Sequence, residues 1–354
     1  MDGSIYDFGL QRSAFQPLGP AFPLSPAPSG SASPPARGAL DRARTVGLIS
    51  NPRSHRNKGE TVRPLRRPDV IARAPQSRAE LRDVLVMFAR RGIDVLAIDG
   101  GDGTVRDVLT CAGEVWGSLW PDILLLPAGK TNALALDIGV PTTWSLEHGL
   151  AAAARGRYAV RSPLEVAAAG GTGTTVRGFI LGVGAFVDAT ALAQRTHRAG
   201  AFNGIAVGLA LTWGIAQTLA GGAGNPWRAG SRIDLSFDPA ADRMHGTVPD
   251  GVADRYLLLA STLNRLPLGL KPFGTPRPGL KTLVVDAPPR QLAAMLGPLL
   301  AGSEAGWLER RGYHRVDAKH LSVDLATGFI LDGELFPAGA YRISEARPLR
   351  FVTA

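Results

Sequence analysis

Apolar stretches and helical patterns alternate over the first part of the chain. Three apolar runs have the length and residue content of buried strands: 44–50, 93–98 and 122–126. Helical spacing or helix-start signals lie between and after them, at 77–92, from 99–104 to about Cys111, at 133–139 and at 146–154. Strands that alternate with helices in this way predict a parallel sheet with helices on both faces.

The pattern changes near residue 156, after which strands dominate. Six segments have strand-like patterns: 158–167, 176–183, 233–237, 256–262, 280–286 and 316–325. Helices are predicted at 187–198, over the uncharged segment 204–220, and at 291–300. Consecutive strands indicate a mainly antiparallel sheet. We therefore predict an α/β protein with an N-terminal parallel-sheet domain at 44–156 and a C-terminal, mainly antiparallel β domain at 157–354.

Residues 1–43 differ from the rest of the chain in composition. They are rich in Pro, Ser, Ala and Gly and show no apolar periodicity, which predicts a disordered arm. Elsewhere there is ample material for a core, since 45% of the 354 residues are apolar. The first ten residues lack the basic and apolar regions of a secretory signal, so we expect a cytoplasmic protein.

Several kinds of chemistry find no support in the sequence. Cys111 is the single cysteine, which excludes a disulfide framework and a multi-cysteine metal site. The six histidines have no metal-ligand spacing. No nucleophile elbow or Ser–His–Asp order is present, which disfavours a hydrolase.

The net charge of +9 indicates a phosphate-bearing partner. Residues 53–91 alone hold eleven Arg or Lys against four Asp or Glu. Nucleic acid is disfavoured because this segment lacks interleaved aromatic residues. Two interpretations stay open: a solvated basic face, or a surface that docks onto an anionic membrane at about 1 kcal/mol per basic residue.

One long uncharged segment, 201–227, resembles a membrane span at first sight. It contains Asn, Gln, Thr and several glycines, whereas a bilayer span needs about 20 strongly apolar residues. We interpret it as a helix of a protein that visits a membrane surface without crossing it.

The strongest chemical signal is the glycine-rich loop, Gly100-Gly101-Asp102-Gly103-Thr104, between a buried strand and a helix start. Glycines let main-chain N–H groups approach a ligand closely, and the helix N-terminus adds partial positive charge, so the loop suits a phosphate. The Asp102 carboxylate would repel a phosphate. Its presence therefore indicates either Mg²⁺ binding or acceptance of a proton from a substrate hydroxyl.

Two other polar loops are expected at the same edge of the sheet. Strand one ends in Asn51-Pro52, and strand three ends before Gly129-Lys130-Thr131-Asn132. Ligands of open α/β sheets bind beyond the carboxyl ends of the strands, so the three loops should form one site. Lys130 could reach phosphate oxygens, or it could be an ordinary solvated lysine at a helix start.

Four segments together resemble the diacylglycerol kinase catalytic family: NPRS at 51–54, GGDGT at 100–104, PAGKTNALALDIGVP at 127–141 and LDGELF at 331–336. That family includes bacterial lipid kinases, sphingosine kinases and ceramide kinases, and it shares GGDGT with NAD kinases. The resemblance extends over about residues 44–352. It implies a lipid kinase that uses ATP and Mg²⁺, with a nucleotide-binding fold like that of NAD kinases and diacylglycerol kinases in the first domain.

The resemblance also implies roles for particular residues. Within the family the base is described either as the GGDGT aspartate, here Asp102, or as the acids of DGE, here Asp332 and Glu334. We favour Asp102 as the base and Glu334 as nucleotide or metal support, and we assign no metal ligands. The nucleotide-binding residues implied are Asn51, Pro52, Arg53, Ser54, Gly100, Gly101, Asp102, Gly103, Thr104, Gly129, Lys130, Thr131, Asn132 and Glu334.

Two motifs depart from the family pattern. The usual turn is NPxSG, whereas His55 stands here in place of the glycine. The usual GTxN reads Gly129-Lys130-Thr131-Asn132, so the threonine is displaced by one position. The lysine at 130 and the basic residues around His55 add positive charge around the expected phosphates.

The acceptor should be a lipid hydroxyl at a membrane surface. We rank ceramide or a sphingoid base level with or slightly above diacylglycerol, with the acyl chains in a cleft lined by Ile205, Leu209 and Trp213. Two alternatives stay open: an NAD kinase with a soluble acceptor, and a non-catalytic module that binds membrane surfaces. Nothing in the sequence predicts the oligomeric state.

Overall fold

The computed structural model describes residues 44–58, 67–171, 175–190, 230–239 and 249–354. The predicted arm at 1–43 lies outside these ranges, as do the predicted helix at 204–220 and most of the one at 187–198. Ile205, Leu209 and Trp213 fall in the same undescribed part.

Sixteen strands are present in the described ranges. They are β1 (Val46–Ser50), β2 (Val70–Arg73), β3 (Val95–Gly100), β4 (Asp122–Pro127), β5 (Tyr158–Arg161), β6 (Leu164–Ala168), β7 (Val176–Gly178), β8 (Ile180–Gly184), β9 (Ser231–Pro239), β10 (Gly251–Ser261), β11 (Leu280–Asp286), β12 (Tyr313–Leu325), β13 (Phe329–Leu331), β14 (Glu334–Phe336), β15 (Gly339–Glu345) and β16 (Leu349–Val352).

Six helices accompany these strands in the same part of the chain. They are α1 (Arg78–Arg90), α2 (Asp102–Trp116), α3 (Ala133–Asp137), α4 (Leu146–Ala154), α5 (Leu292–Ala301) and α6 (Gly306–Glu309). Residues 185–190 are also helical. A short 3₁₀ turn lies at Pro267–Gly269. None of the helices described is long and apolar enough to cross a membrane.

The first sheet has six strands in the order β2-β1-β3-β4-β16-β5. All neighbouring pairs are parallel except β16 and β5. Successive apolar side chains of a strand point to opposite faces of the sheet, and both faces are buried. Leu96 and Ile98 pack in one core with α1 and α2, while Val95 and Ala97 pack in another with α4. This is the predicted parallel sheet with helices on both faces, and the prediction is confirmed.

The second sheet is antiparallel and follows the order β14-β13-β8-β10-β11-β12-β15-β6-β7, with β9 paired to β10 and β12. One of its faces encloses a core of residues such as Val183, Leu258 and Val323. Around Tyr256 and Val285, α5 and α6 cover a smaller apolar cluster. The predicted α/β fold with a mainly antiparallel second domain is therefore confirmed.

Some predicted elements have different boundaries in the structure. The strand expected at 158–167 is two strands that belong to different sheets, because Ser162-Pro163 interrupts it. The helix expected to end near Cys111 continues to Trp116. The domain boundary at 156 stays a prediction, although the first sheet takes β5 and β16 from beyond that residue.

The two sheets are joined through α2. The main-chain N–H of Arg177 in β7 donates to the Thr110 hydroxyl at 3.0 Å. The Arg177 guanidinium lies against Gly113, where an added Cβ would be 1.4 Å from a guanidinium nitrogen. Glu165 pairs with the same guanidinium at 2.7 Å. The helix that begins in the glycine-rich loop therefore packs directly against the second sheet.

Candidate active site

Three loops meet at the carboxyl edge of the first sheet. Strands β1, β3 and β4 are adjacent, with Ser50 opposite Asp99 and Gly100 opposite Pro127. The loops that follow them are the asparagine loop (51–58), the glycine-rich loop (100–104) and the lysine loop (127–132). The sequence predicted that these loops form one site, and the structure places them side by side.

Hydrogen bonds hold the three loops together. The buried Asn51 amide donates to the Thr104 hydroxyl at 2.8 Å. The main-chain N–H of Ala128 donates to the Gly100 carbonyl at 3.0 Å. The N–H of Arg56 donates to the Ala128 carbonyl, also at 3.0 Å. Each loop is thus fixed to at least one of the others through the backbone or a buried side chain.

Glycines are required where the glycine-rich and lysine loops touch. A Cβ on Gly101 would lie 2.8 Å from the Cα of Gly129, and a Cβ on Gly129 would lie 2.6 Å from the Cα of Gly101. Neither backbone could yield to a methyl group without moving its loop. This close approach leaves main-chain N–H groups at the start of α2, where a phosphate would be stabilised.

In the asparagine and lysine loops, some side chains hold the loop together and others are exposed to solvent. Asn132 has a left-handed backbone (φ 50°), and its side chain exchanges hydrogen bonds with the N–H and carbonyl of Gly129 at 2.9 Å each. Arg53, Lys130 and Thr131 are exposed, whereas Ser54 is fully buried. Asn132 therefore closes the lysine loop, and the exposed side chains are the ones available to a ligand.

Asp102 connects the glycine-rich loop to α3. Its carboxylate accepts a hydrogen bond from the Leu134 N–H at 3.4 Å, and interactions with the N–H groups of Asn132 and Ala133 also favour its charged form. Burial acts in the opposite direction and is the larger effect, so the pKa of Asp102 is raised. The side chain thus sits at a helix start and holds its proton more tightly than an ordinary aspartate.

Asp332 enters the same region from the second sheet. It occupies a left-handed turn (φ 45°) with Gly333, between β13 and β14. Its carboxylate accepts hydrogen bonds from the N–H groups of Phe179 and Ile180 at 2.9 Å each. Burial raises the pKa of Asp332 to about 7, and the negative charge of Asp102 adds to this shift. The two aspartates predicted as catalytic are therefore close enough for their charges to interact.

The raised pKa of Asp332 makes stability depend on pH. The unfolded chain has a carboxyl pKa of about 4, so between about 4 and 7 the folded protein binds more protons than the unfolded chain. The contribution of Asp332 to the free energy of unfolding is largest at low pH and is lost as the pH rises from about 4 to about 7. An Asp332→Asn variant cannot titrate, so we expect wild type to lose stability relative to it between those limits.

Urea unfolding of both proteins at a series of pH values measures this difference. Above about pH 7 the difference in free energy of unfolding between wild type and Asp332→Asn should become constant. Parallel stability curves for the two proteins across the whole range would contradict the raised pKa.

Arg106 is a site residue that the sequence analysis missed. It lies on α2, two residues after the glycine-rich loop, and is 1% exposed. Its guanidinium contacts the Asp107 carboxylate at 2.8 Å, donates to the Leu331 carbonyl at 3.3 Å, and lies 3.8 Å from the Glu334 carboxylate. The signal in the sequence is an Arg-Asp pair at 106–107, one residue after GGDGT, within a helix whose other buried residues carry no charge.

Asp137 is a second residue whose role the sequence did not reveal. Its side chain accepts hydrogen bonds from the N–H groups of Asn264 and Arg265 at 3.0 and 2.6 Å, and from Arg161 at 2.5 Å. Asp137 ends α3, whose first turn contacts Asp102. This carboxylate therefore joins the nucleotide side of the site to the loop that follows β10.

The residues present fit a nucleoside triphosphate. Gly101 and Gly129 form a cradle that a Cβ would fill, and the buried Ser54 hydroxyl has no hydrogen-bond partner among the described residues. The carboxylates of Asp102 and Glu334 are oxygen donors of the type that Mg²⁺ prefers. The described part of the chain holds no cluster of three or more His, Cys, Asp or Glu placed for a metal. Mg²⁺ commonly uses one or two carboxylates together with substrate phosphates.

The three loops carry the motifs by which the chain resembles a known kinase family, and sequence comparison finds the same resemblance. Residues 45–175 match the family model of the diacylglycerol kinase catalytic domain. The resemblance found in the sequence motifs is therefore confirmed, and it supports an ATP-dependent kinase. None of the curated proteins that were compared with the chain matches it.

Solved structures share the fold over most of the chain. A diacylglycerol kinase from Bacillus anthracis str. Sterne has a TM-score of 0.56 at 13% identity, covering 88% of this chain and 97% of that one. A candidate diacylglycerol kinase from the same organism has a TM-score of 0.59 at 15% identity, with the same coverage. At this identity the likeness shows the common fold and leaves the acceptor open.

Proposed function

We propose that this protein is a lipid kinase that transfers the γ-phosphate of ATP to the primary hydroxyl of a long-chain lipid. The observation that carries the proposal is the meeting of the three loops with Asp102 and Asp332 between the two sheets. A nucleotide bound at the strand ends would place its γ-phosphate beside both carboxylates. Phosphoryl transfer depends chiefly on such positioning and on neutralisation of charge.

Asp102 is proposed as the general base. Its charge contributes to the raised pKa of Asp332, so the two carboxylates interact, and Asp102 is the one that lies within the glycine-rich loop. Its carboxylate accepts the proton of the lipid hydroxyl as that oxygen bonds to the γ-phosphorus. The bond from the γ-phosphorus to the bridging oxygen breaks, and ADP leaves with that electron pair.

Asp332 and Glu334 are proposed to support the nucleotide. Mg²⁺, when bound, neutralises charge on the phosphates. Glu334 would hold it, because its side chain is partly exposed and lies two residues after Asp332. Asp332 would act from the same turn, where its carboxylate is held by the N–H groups of Phe179 and Ile180. Asn51 and Thr104 keep the asparagine and glycine-rich loops in contact.

An anionic membrane is the proposed partner surface. Arg53, Arg56 and Lys58 are exposed in the asparagine loop, at the same edge of the sheet as the site. Attraction of these cations to lipid headgroups would bring the site to its acceptor. We propose a cytoplasmic protein that works peripherally on the membrane surface, with no role for nucleic acid.

Labelled ATP and a panel of lipids test the proposal. We expect Mg²⁺-dependent label transfer to a ceramide, a sphingoid base or diacylglycerol presented in mixed vesicles. Vesicles that lack a hydroxyl-bearing acceptor are the control. Absence of transfer to any lipid by protein that binds ATP would overturn the proposal.

Two other outcomes correspond to the alternative functions. Phosphorylation of NAD in the absence of lipid would favour an NAD kinase, which shares the glycine-rich loop. Vesicle binding that weakens steeply with salt, without turnover of ATP, would favour a non-catalytic membrane module. The LDGELF segment at 331–336 favours the lipid kinase over the NAD kinase.

A further inference from the structure

A single buried cation connects the nucleotide side of the site to the second sheet. Arg106 is the largest fully buried side chain in the described part of the chain. It follows Thr104 by two residues on α2, so its position is fixed by the same helix that begins in the glycine-rich loop. Burial of an arginine costs free energy unless its charge is paired. The contacts of Arg106 therefore show what holds it in place.

The Arg106 guanidinium contacts residues on both sides of Asp332 in its turn. One nitrogen donates to the carbonyl of Leu331, the residue directly before Asp332. Another nitrogen lies 3.8 Å from Glu334, two residues after it. The guanidinium carbon also lies 6.0 Å from the centre of the Phe336 ring, within the range of a cation–π contact. The turn between β13 and β14 is thus attached to α2 at three points.

Acidic groups surround this cation. Burial opposes its charge, but Asp107, Glu334 and Asp332 together outweigh that effect and raise the pKa of Arg106. Asp107 contacts the guanidinium directly and orients it from its own helix. Arg106 is therefore a permanent positive charge among carboxylates that would otherwise repel one another across the gap between the sheets.

We propose that Arg106 is a positioning residue that transmits nucleotide binding at the glycine-rich loop to the turn bearing Asp332 and Glu334. The kinetic part of the test rests on the proposed lipid kinase function, whereas the exchange part does not. Arg106 does not touch the reacting atoms. It fixes the position of the turn bearing Asp332 and Glu334 relative to the γ-phosphate. This position matters, because a shift of about 1 Å in such a group can reduce the rate about a hundredfold.

Hydrogen exchange tests the connection directly. We expect a Mg²⁺-bound, non-hydrolysable ATP analogue to slow amide exchange over residues 329–336 in wild type, and this effect to disappear in Arg106→Met. The matched control is Arg177→Met, which removes a different cation between α2 and the second sheet. That variant should keep the response. A wild type whose 329–336 segment does not respond, or an Arg106→Met variant that responds like wild type, overturns the proposal.

Steady-state kinetics give a second readout. For Arg106→Met we expect kcat to fall about a hundredfold while the KM for ATP changes little, because the glycine-rich loop itself is intact. Arg106→Lys keeps the charge but loses the fork, so it should recover part of kcat. An equal fall of kcat in Arg177→Met, or no recovery in a folded Arg106→Lys, would indicate a merely structural role. Lack of lipid phosphorylation by wild type would count against the proposed function, and the exchange experiment would still decide the role of Arg106.

Discussion

Replacing Asp102 with Asn is expected to lower kcat for phosphoryl transfer by about 10²–10⁴-fold, the usual contribution of a general base. The amide cannot accept the proton of the lipid hydroxyl. Binding of ATP should change little, because the main-chain N–H groups of the glycine-rich loop remain in place. A radiolabelled transfer assay measures the rate, and calorimetry measures nucleotide affinity.

The Asp102→Asn variant should fold, which makes this test decisive. In the native protein the carboxylate accepts from the Leu134 N–H at the start of α3. The carbonyl oxygen of Asn can accept the same hydrogen bond, and Asn caps helices about as well as Asp. Removal of a buried group with a raised pKa also removes a cost of ionisation above that pKa.

An exposed acid on α1 provides the control for Asp102. Asp83→Asn removes one exposed negative charge from a helix that packs against the first sheet, so its kcat should equal that of wild type. Retention of full activity by Asp102→Asn would exclude this residue as the base. Activity would then have to depend on Asp332 or Glu334.

Replacing Gly129 with Ala is expected to weaken ATP binding at least about tenfold. The added Cβ would lie 2.6 Å from the Cα of Gly101 and 2.8 Å from the Asn132 amide oxygen, so the lysine and glycine-rich loops must separate. Overpacking of this kind also destabilises a fold by about 1–3 kcal/mol. Calorimetric titration with Mg²⁺-ATP and denaturant unfolding measure the two effects.

Two further glycine variants sharpen that result. Gly101→Ala introduces the same clash from the opposite side, with its Cβ 2.8 Å from the Cα of Gly129, and should weaken binding similarly. Gly297→Ala on α5 has nothing within 4 Å of the new Cβ, so ATP binding should be unchanged. Stability should rise slightly in this variant, since Ala favours a helix over Gly by about 1 kcal/mol. Unchanged ATP affinity in Gly129→Ala and Gly101→Ala would show that the nucleotide binds elsewhere.

The sequence predicted the meeting of the three loops because its signals are local. Each buried strand of the first sheet is a continuous apolar run, and each is followed directly by its polar loop. Parallel strands bring such loops to one edge, so position along the chain already implied proximity. The close contact between Gly101 and Gly129 follows from this arrangement of neighbouring parallel strands.

Other features depend on contacts between residues far apart in the chain, which local patterns do not encode. Arg106 and Leu331 are separated by 225 residues, and no periodicity links them. The sequence shows a motif at 331–336, yet the two strands at this place, Phe329–Leu331 and Glu334–Phe336, have three residues each and are too short for a strand pattern. Asn132 was expected to serve a ligand, but its side chain closes its own loop, because a left-handed turn places it there.

The place of β16 has a consequence for how the protein is made. This strand follows β4 by more than 200 residues along the chain and inserts between β4 and β5, where Phe351 is completely buried. A nascent chain on the ribosome therefore carries the whole GGDGT segment long before the sheet beneath it can close. The parallel sheet should therefore close only after β16 has been made, and fragments truncated before β16 would expose the apolar edge of β4.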